Sequence, residues 1–439
     1  MSAAARPLFV VDDDPTGAQA QAGVPLLLSW GDELVDAVLR EDPRALHMLT
    51  NSRALDEDQA YAIVRGAAEA VRSAAPEPRL VLRGDSTLRA HLLPEYAGVR
   101  DVLAPGETPP LLLVPALPAA GRVTVGGRHW LDRDGRRTPL EQTEFAADAV
   151  FAYRSGRLLD WAEERSDGYF LAADGWEVGI DAIRSDDGAG LVRDALLGAA
   201  ASAAPAAVVP DAETEDDLAT IAAGLRQAWE RKPSIVVRCA PTFASVLSGA
   251  GATGLVAPPT VERGLLVLVG SHVPVSTAQL ARLADRYPRS LVEVDAATLA
   301  GDAGGAGGAA AAIDAAVERA AALLDADRLA IVATTRAVAA AALGAEAGMR
   351  VARWMASVVE RLRDRTDALL SKGGSTSAVN VRDGLGAECV EIVGPVAPGV
   401  SLWRVAGDGG EPYPVVVFPG NVGDAGTLVD LVERMLGRP

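Results

Sequence analysis

At 439 residues the chain exceeds one ordinary core, so two or three domains are expected. A hydrophobic content of 49% suits a globular protein, and a net charge of -18 disfavours nucleic acid and acidic membranes as partners. Cys239 and Cys389 are the only cysteines; they give no disulfide framework and no metal-ligand spacing, which suits a cytoplasmic, reducing setting.

MSAAARPLFV runs into a strand without the apolar core of a signal peptide. Leu8-Phe9-Val10-Val11 reads as a buried strand ending in Asp12-Asp13-Asp14-Pro15-Thr16-Gly17. Adjacent carboxylates repel one another, and at the carboxyl end of a strand they occupy the edge where open α/β sheets place ligands. The pattern repeats: Ala45–Leu49 ends in Thr50-Asn51-Ser52-Arg53, followed by a helix over Asp56–Ala74. Leu80–Leu82 ends in Arg83-Gly84-Asp85-Ser86-Thr87-Leu88-Arg89, and Leu111–Val114 ends in Pro115, with Gly121-Arg122 close behind.

Four apolar runs with charged tips predict a parallel sheet with a ligand edge. Asp13, Asp14, Arg83, Asp85, Ser86, Arg89, Gly121 and Arg122 are the candidate substrate residues, with Arg53 beside them. The set suits a small polyhydroxy acid. Arginine forks hold a carboxylate at roughly 1.5–3 kcal/mol per charged bond. Aspartates accept bonds from hydroxyls, and one can take the proton of an attacking hydroxyl.

Residues 121–130 read as a hairpin or ordered loop, with His91 and His129 beside these motifs in structural roles. Thr143 and Asp148 are candidates to close the pocket. Residues 155–245 read as a second α/β layer without a catalytic feature. Ala195–Pro210, the most apolar stretch, is broken by Pro205 and too short to span a bilayer.

Gly249–Thr260 is the expected boundary, dividing a domain over 1–250 from one over 260–439. In the second half Leu291–Val294 reads as a strand, and strands at Leu265–Val269, Leu329–Ala333 and Val415–Phe418 end in glycines and hydroxyls, among them Ser271, Thr335, Gly420 and Asn421. Gly301–Ala312 reads as a flexible surface insertion, and Ala347–Arg365 as an amphipathic helix.

Ala368-Leu369-Leu370 leads into Ser371-Lys372-Gly373-Gly374-Ser375-Thr376-Ser377. A strand, two glycines that let backbone approach a ligand, and a hydroxyl-rich helix start make a phosphate cradle. Lys372 is one of only two lysines in the chain, the other being Lys232. Neutral tips here and Arg/Asp tips in the first half suggest a nucleotide on the second sheet and a small acid on the first. G-x-x-x-x-G-K-[ST], protein-kinase motifs, zinc signatures and G-x-S-x-G are absent, so no resident metal site is expected.

Together these motifs resemble the four-carbon acid sugar kinase family over nearly the whole chain. The resemblance rests on Asp13-Asp14-Pro15-Thr16-Gly17-Ala18, Asp85-Ser86-Thr87-Leu88-Arg89, Pro115-Ala116-Leu117-Pro118 with Gly121-Arg122, and Gly270-Ser271 with Thr277, Gln279 and Leu280. It rests also on Thr335-Arg336, Gly373-Gly374-Ser375-Thr376-Ser377 and Pro419-Gly420-Asn421. It departs at Arg83, where the family often has lysine, and at Ala90, where glycine commonly stands.

The resemblance implies an α/β protein of two domains, each on a mainly parallel sheet flanked by helices, with the active site in the cleft between them. It implies a sugar acid (threonate, erythronate or 3-oxotetronate) held by Asp14, Asp85, Ser86, Arg89 and Arg122. It implies ATP held by Ser271, Gly373, Gly374, Ser375, Thr376 and Gly420. The expected reaction phosphorylates a terminal hydroxyl with ATP and Mg2+, with Asp14 as base and Lys372 on the γ-phosphate. The rivals are a nicotinamide-dependent sugar-acid dehydrogenase, which lacks its G-x-G-x-x-G strand-to-helix turn here, and a non-catalytic sugar-acid-binding protein. A homodimer is left open.

Overall fold

The computed structural model describes residues 7–15, 17, 21–300, 305–336, 340–406 and 411–438. The chain forms two compact units, Met1–Ala20 with Trp30–Gly251 and Gln21–Ser29 with Ala252–Pro439. Besides the crossing near residue 251, the short segment Gln21–Ser29 of the first half therefore belongs to the second unit.

The first unit is built on parallel strands in the spatial order Ala45–Leu49, Leu8–Asp12, Arg79–Arg83, Val236–Cys239, Leu111–Val114, Ala207–Pro210 and Trp176–Val178. All five residues of Leu8–Asp12 are buried, as are all four of Leu111–Val114. Strands covered on both faces read as unbroken apolar runs, which is why these were visible in the sequence. The helix after Ala45–Leu49 begins at Glu57 because Asp56 caps it. The Asp56 carboxylate accepts from the Gln59 N–H at 2.8 Å, and the Gln59 side chain accepts from the Asp56 N–H at 3.4 Å.

Residues 155–245 do not form a second layer. Their strands join the same sheet, and Val236–Cys239 inserts between Arg79–Arg83 and Leu111–Val114. The expected hairpin is present as Arg122–Val125 and Arg128–Arg133, extended by Arg136–Pro139 into a three-stranded antiparallel sheet. Asp211 fixes its turn, accepting from the N–H groups of Gly126 and Gly127 at 2.8 and 3.0 Å.

The second unit carries parallel strands in the order Leu291–Val294, Leu329–Thr334, Leu265–Val269, Ala368–Lys372 and Tyr413–Phe418. An antiparallel arm, Val400–Val405, Cys389–Ala397 and Val24–Leu27, continues it. Its core joins Val267, Leu370 and Val416 from the strands to Leu283 and Val432 from the helices Pro274–Arg286 and Thr427–Met435.

The glycine–alanine run expected as a flexible insertion is helical from Gly305, in a helix reaching Asp327; residues 301–304 lie outside the described set. Alanine is the best helix former, and Ala309, Ile313 and Ala316 are buried, which offsets the cost of the glycines. The expected helix over 347–365 runs from Ala340 to Leu362. No described helix is long and apolar enough to cross a membrane.

Candidate active site

Parallel pairing places strand ends on one edge. Asp12 is level with Leu49 and with Arg83, and Cys239 is level with Arg83 and with Val114. The polar tips after these strands therefore emerge together. Thr16 and Ala18 of the aspartate loop lie outside the described residues.

Asp12 is buried, with His47 Nδ1 2.6 Å from Oδ2 and Arg83 Nε 2.6 Å from Oδ1. Burial opposes ionisation, but Arg83 and His47 hold the carboxyl below its ordinary pKa. Arg83 also lies 3.5 Å from Asp13 and donates to the Asp14 carbonyl. It is 3% exposed, so the direct substrate contact expected of it is corrected: the guanidinium braces the aspartate loop. Asp13, also buried, pairs with Arg53 at 2.9 Å and with Arg238 at 3.5 Å. Asp14 is half-buried, 3.5 Å from Arg53.

Asp85 accepts from Arg89 Nε at 2.7 Å and from the Thr87 hydroxyl. Burial again opposes ionisation, and Arg53 and Arg89 outweigh it, holding Asp85 well below the usual carboxylate range. Asp148 lies 3.9 Å from Arg89, while the Thr143 hydroxyl donates to the Leu140 carbonyl.

Arg122 differs from the other arginines. Gly121, at φ +69°, turns the chain into the strand that begins with it. Its Nη1 donates to Ser86 Oγ at 3.3 Å, its guanidinium lies 5.6 Å from the Phe145 ring centroid, and its Nε is buried without a partner. Among the described residues no carboxylate pairs with it, and burial lowers its pKa without discharging it. Ser86 is held from behind by His129, whose ring lies between the Ser86 carbonyl (Nε2, 2.9 Å) and the Thr124 hydroxyl (Nδ1, 3.0 Å). Burial pushes the His129 pKa down to about 4. The neutral ring donates to Ser86 and accepts from Thr124.

Sequence reading missed Arg238, Glu95 and His47. Arg238 pairs with buried Glu95, which accepts from the Ser52 hydroxyl at 2.6 Å. The available signal was Arg238, one residue before the end of Val236–Cys239, as Arg83 ends the neighbouring Arg79–Arg83.

In the second unit, Val269 is level with Ala333 and Lys372, and Lys372 with Phe418. Gly270-Ser271, Thr334-Thr335, Gly373-Gly374 and Pro419-Gly420 thus share an edge. Gly373 has φ +128°, a conformation costly for side-chain-bearing residues, and opens the helix Gly374–Val379, which continues helically to Gly384. The buried Ser377 hydroxyl bonds the Ser371 and Gly373 carbonyls at 3.0 and 2.7 Å, seating that turn. A Cβ at Gly420 would overlap Ser271 Oγ. Ser271, Ser375 and Thr376 are half-buried; Asn421 is exposed.

Two expected contacts differ. Thr335 Oγ1 donates to Asp295 at 3.2 Å and accepts from the Ala296 N–H, so its hydroxyl is engaged. Lys372 is fully buried: Nζ donates to the Pro419 carbonyl at 2.8 Å and lies 3.8 Å from the Phe418 ring centroid. Its expected γ-phosphate contact is corrected to a brace under the Pro419–Gly420 turn. Burial pushes its pKa down to about 7.

The chain thus pairs a unit rich in arginine and aspartate with one of glycine and hydroxyl turns, both on parallel sheets. Residues 8–247 match the family model of a sugar-binding N-terminal domain, and residues 266–428 that of a nucleotide-binding C-terminal domain. The chain belongs to the four-carbon acid sugar kinase family. It is 28% identical to a D-erythronate kinase of Heliobacterium modesticaldum, over 98% of this chain and 97% of that protein. It is 28% identical to a D-threonate kinase of Salmonella typhimurium, over 96% and 97%. A solved Salmonella typhimurium LT2 protein shares the fold with a TM-score of 0.70 at 18% identity, over 96% of this chain and 98% of that one. A Haemophilus influenzae protein gives 0.64 at 17% identity, over 98% and 100%.

Proposed function

We propose that the chain transfers a phosphoryl group from ATP to the terminal hydroxyl of a four-carbon sugar acid such as D-erythronate, D-threonate or a 3-oxotetronate. Residues 1–250 hold the acid and residues 260–439 the nucleotide. The observation that carries the reading is Arg122, a part-buried guanidinium beside Ser86 that pairs with no carboxylate of the described residues, Asp85 and Glu144 acting on it at longer range. A substrate carboxylate supplies the missing charge. Asp85 and Arg89 flank Ser86 in sequence and supply a carboxylate and a guanidinium for the hydroxyl end.

Asp14 is assigned as the base on its exposure. Asp12 is committed to Arg83 and His47, Asp13 to Arg53, and Asp85 is held ionised by Arg53 and Arg89. Asp14 is the most exposed of the four, with Arg53 3.5 Å away. It can accept the hydroxyl proton as the bond to phosphorus forms.

The second unit fits a nucleotide: Gly373 brings bare backbone to its turn, Ser271 and Thr376 add hydroxyls, and Asp295 beside Thr335 and Asp424, four residues after Gly420, are engaged by Thr298 and Thr427. ATP supplies the phosphoryl group, and Mg2+ carried on its phosphates supplies charge neutralisation. Positioning both substrates together contributes roughly 7–11 kcal/mol of the barrier.

The test is ADP release by the purified full chain with ATP, Mg2+ and each four-carbon sugar acid or its 3-oxo form. Turnover with at least one acid, and none with the matching alcohol that lacks the carboxylate, is expected. Absence of ADP release with all of them overturns the reading.

A further inference from the structure

We propose that Arg336 neutralises the terminal phosphates of the bound nucleotide. This rests on the reading of the second unit as the nucleotide site and deepens it.

Arg336 follows the strand Leu329–Thr334, and two backbone carbonyls fix its guanidinium: Nη1 donates to Ser271 and Nη2 to Val269, the latter at 3.3 Å. Both acceptors are neutral. Its Nε is buried without a partner, and no carboxylate pairs with it among the described residues. The acid acting on it at longer range is Glu293, on the neighbouring strand Leu291–Val294. Asp295, next along, is engaged by Thr298 and Thr335. A guanidinium withdrawn from water without a counter-charge is unfavourable, and burial accordingly lowers its pKa.

The same strand-end edge holds a second basic group hydrogen-bonded to carbonyls, Lys372. A guanidinium and a buried amine, neither paired with a carboxylate among the described residues, stand among glycine and hydroxyl turns and complement a ligand carrying several negative charges. The two have different geometry. Lys372 is enclosed beneath the Pro419–Gly420 turn, whereas Arg336 is only half-buried and retains donors of its planar fork. Ser271 connects them: its carbonyl accepts from Arg336, its N–H donates to the Lys372 carbonyl at 3.3 Å, and its hydroxyl occupies the space a side chain at Gly420 would need. The cation is therefore tied to the backbone of the turn assigned to the phosphates. With the Thr335 hydroxyl engaged, Arg336 is the group this strand end offers to an anion.

The experiment uses the full chain and the variants Arg336→Gln and Arg336→Lys, with ATP, ADP and adenosine titrated by calorimetry alongside turnover and thermal melting. Arg336→Gln is expected to weaken ATP by about 10- to 100-fold, leave adenosine within about twofold, and lower turnover. Arg336→Lys is expected to fall between it and wild type. ATP binding unchanged in Arg336→Gln, with wild type binding ATP, overturns the assignment and leaves the nucleotide reading standing. Equal weakening of ATP and adenosine also overturns it, since that marks a structural role. If wild type binds neither ATP nor adenosine, the nucleotide reading fails and this assignment with it.

Discussion

Arg122 Nη1 donates to Ser86 Oγ across 3.3 Å, and Ser86 is in turn held by His129 through its backbone carbonyl. A part-buried cation is thus aimed by a neutral hydroxyl and a neutral imidazole, with Asp85 and Glu144 acting on it only at longer range. Arg122→Gln is expected to raise the sugar-acid KM by about 10- to 100-fold, the value of one to two charged hydrogen bonds. ATP affinity and the melting temperature should stay close to wild type, because no ion pair is broken. Steady-state kinetics with each substrate varied in turn checks this; an unchanged acid KM removes Arg122 from the site.

Asp14→Asn keeps the shape of the side chain and removes its proton acceptor. Turnover should fall by about 10²- to 10⁴-fold, the usual contribution of a general base, while calorimetry finds the acid still bound. Near-wild-type turnover would mean that another group takes the proton.

Gly373→Ala places a Cβ on a backbone at φ +128°, with Ser271 Cβ and Thr376 Oγ1 both 3.4 Å from it. A strained backbone of this kind costs about 1–3 kcal/mol, so the melting temperature should drop by a few degrees. ATP binding is expected to be lost and sugar-acid binding retained. Intact ATP affinity would show that the turn is not the cradle.

The Lys372 ammonium makes stability depend on pH in a stated direction. Its folded pKa is about 7 against 10.5 for the free side chain, so between those values the unfolded chain binds more protons than the folded one. Stability from this group therefore rises with pH across that window, by on the order of a few kcal/mol in full. The cost of the buried charge is complete below pH 7. Lys372→Met should remove this slope. Melting curves of wild type and variant between pH 7 and 9.5 report it, and parallel curves would mean that the lysine is not buried as a charge.

The strand grammar was legible because parallel strands covered on both faces must be apolar throughout, while their ends meet the ligand edge and can be polar. Ala45–Leu49, Leu111–Val114, Leu265–Val269 and Leu291–Val294 have their expected bounds for this reason. The antiparallel arm was not legible: Cys389–Ala397 is interrupted by Gly394 and Pro395, and its partner Val24–Leu27 lies over 350 positions earlier, a separation no local pattern carries. Arg238 escaped for a related reason. Its strand was readable, but that it sits beside Arg79–Arg83 is a property of sheet order.

By itself, the sequence determined which residue types stand at the ends of which strands, and so the two chemistries, guanidinium with carboxylate in one unit and glycine with hydroxyl in the other. Only the tertiary structure decided which of these groups are already neutralised. Arg83 is consumed by Asp12, and Lys372 is enclosed under a turn, while Arg122 and Arg336 keep charge without an acid partner. The physical reason is that charge compensation depends on distances of a few ångströms between side chains remote in sequence, and folding alone sets those distances.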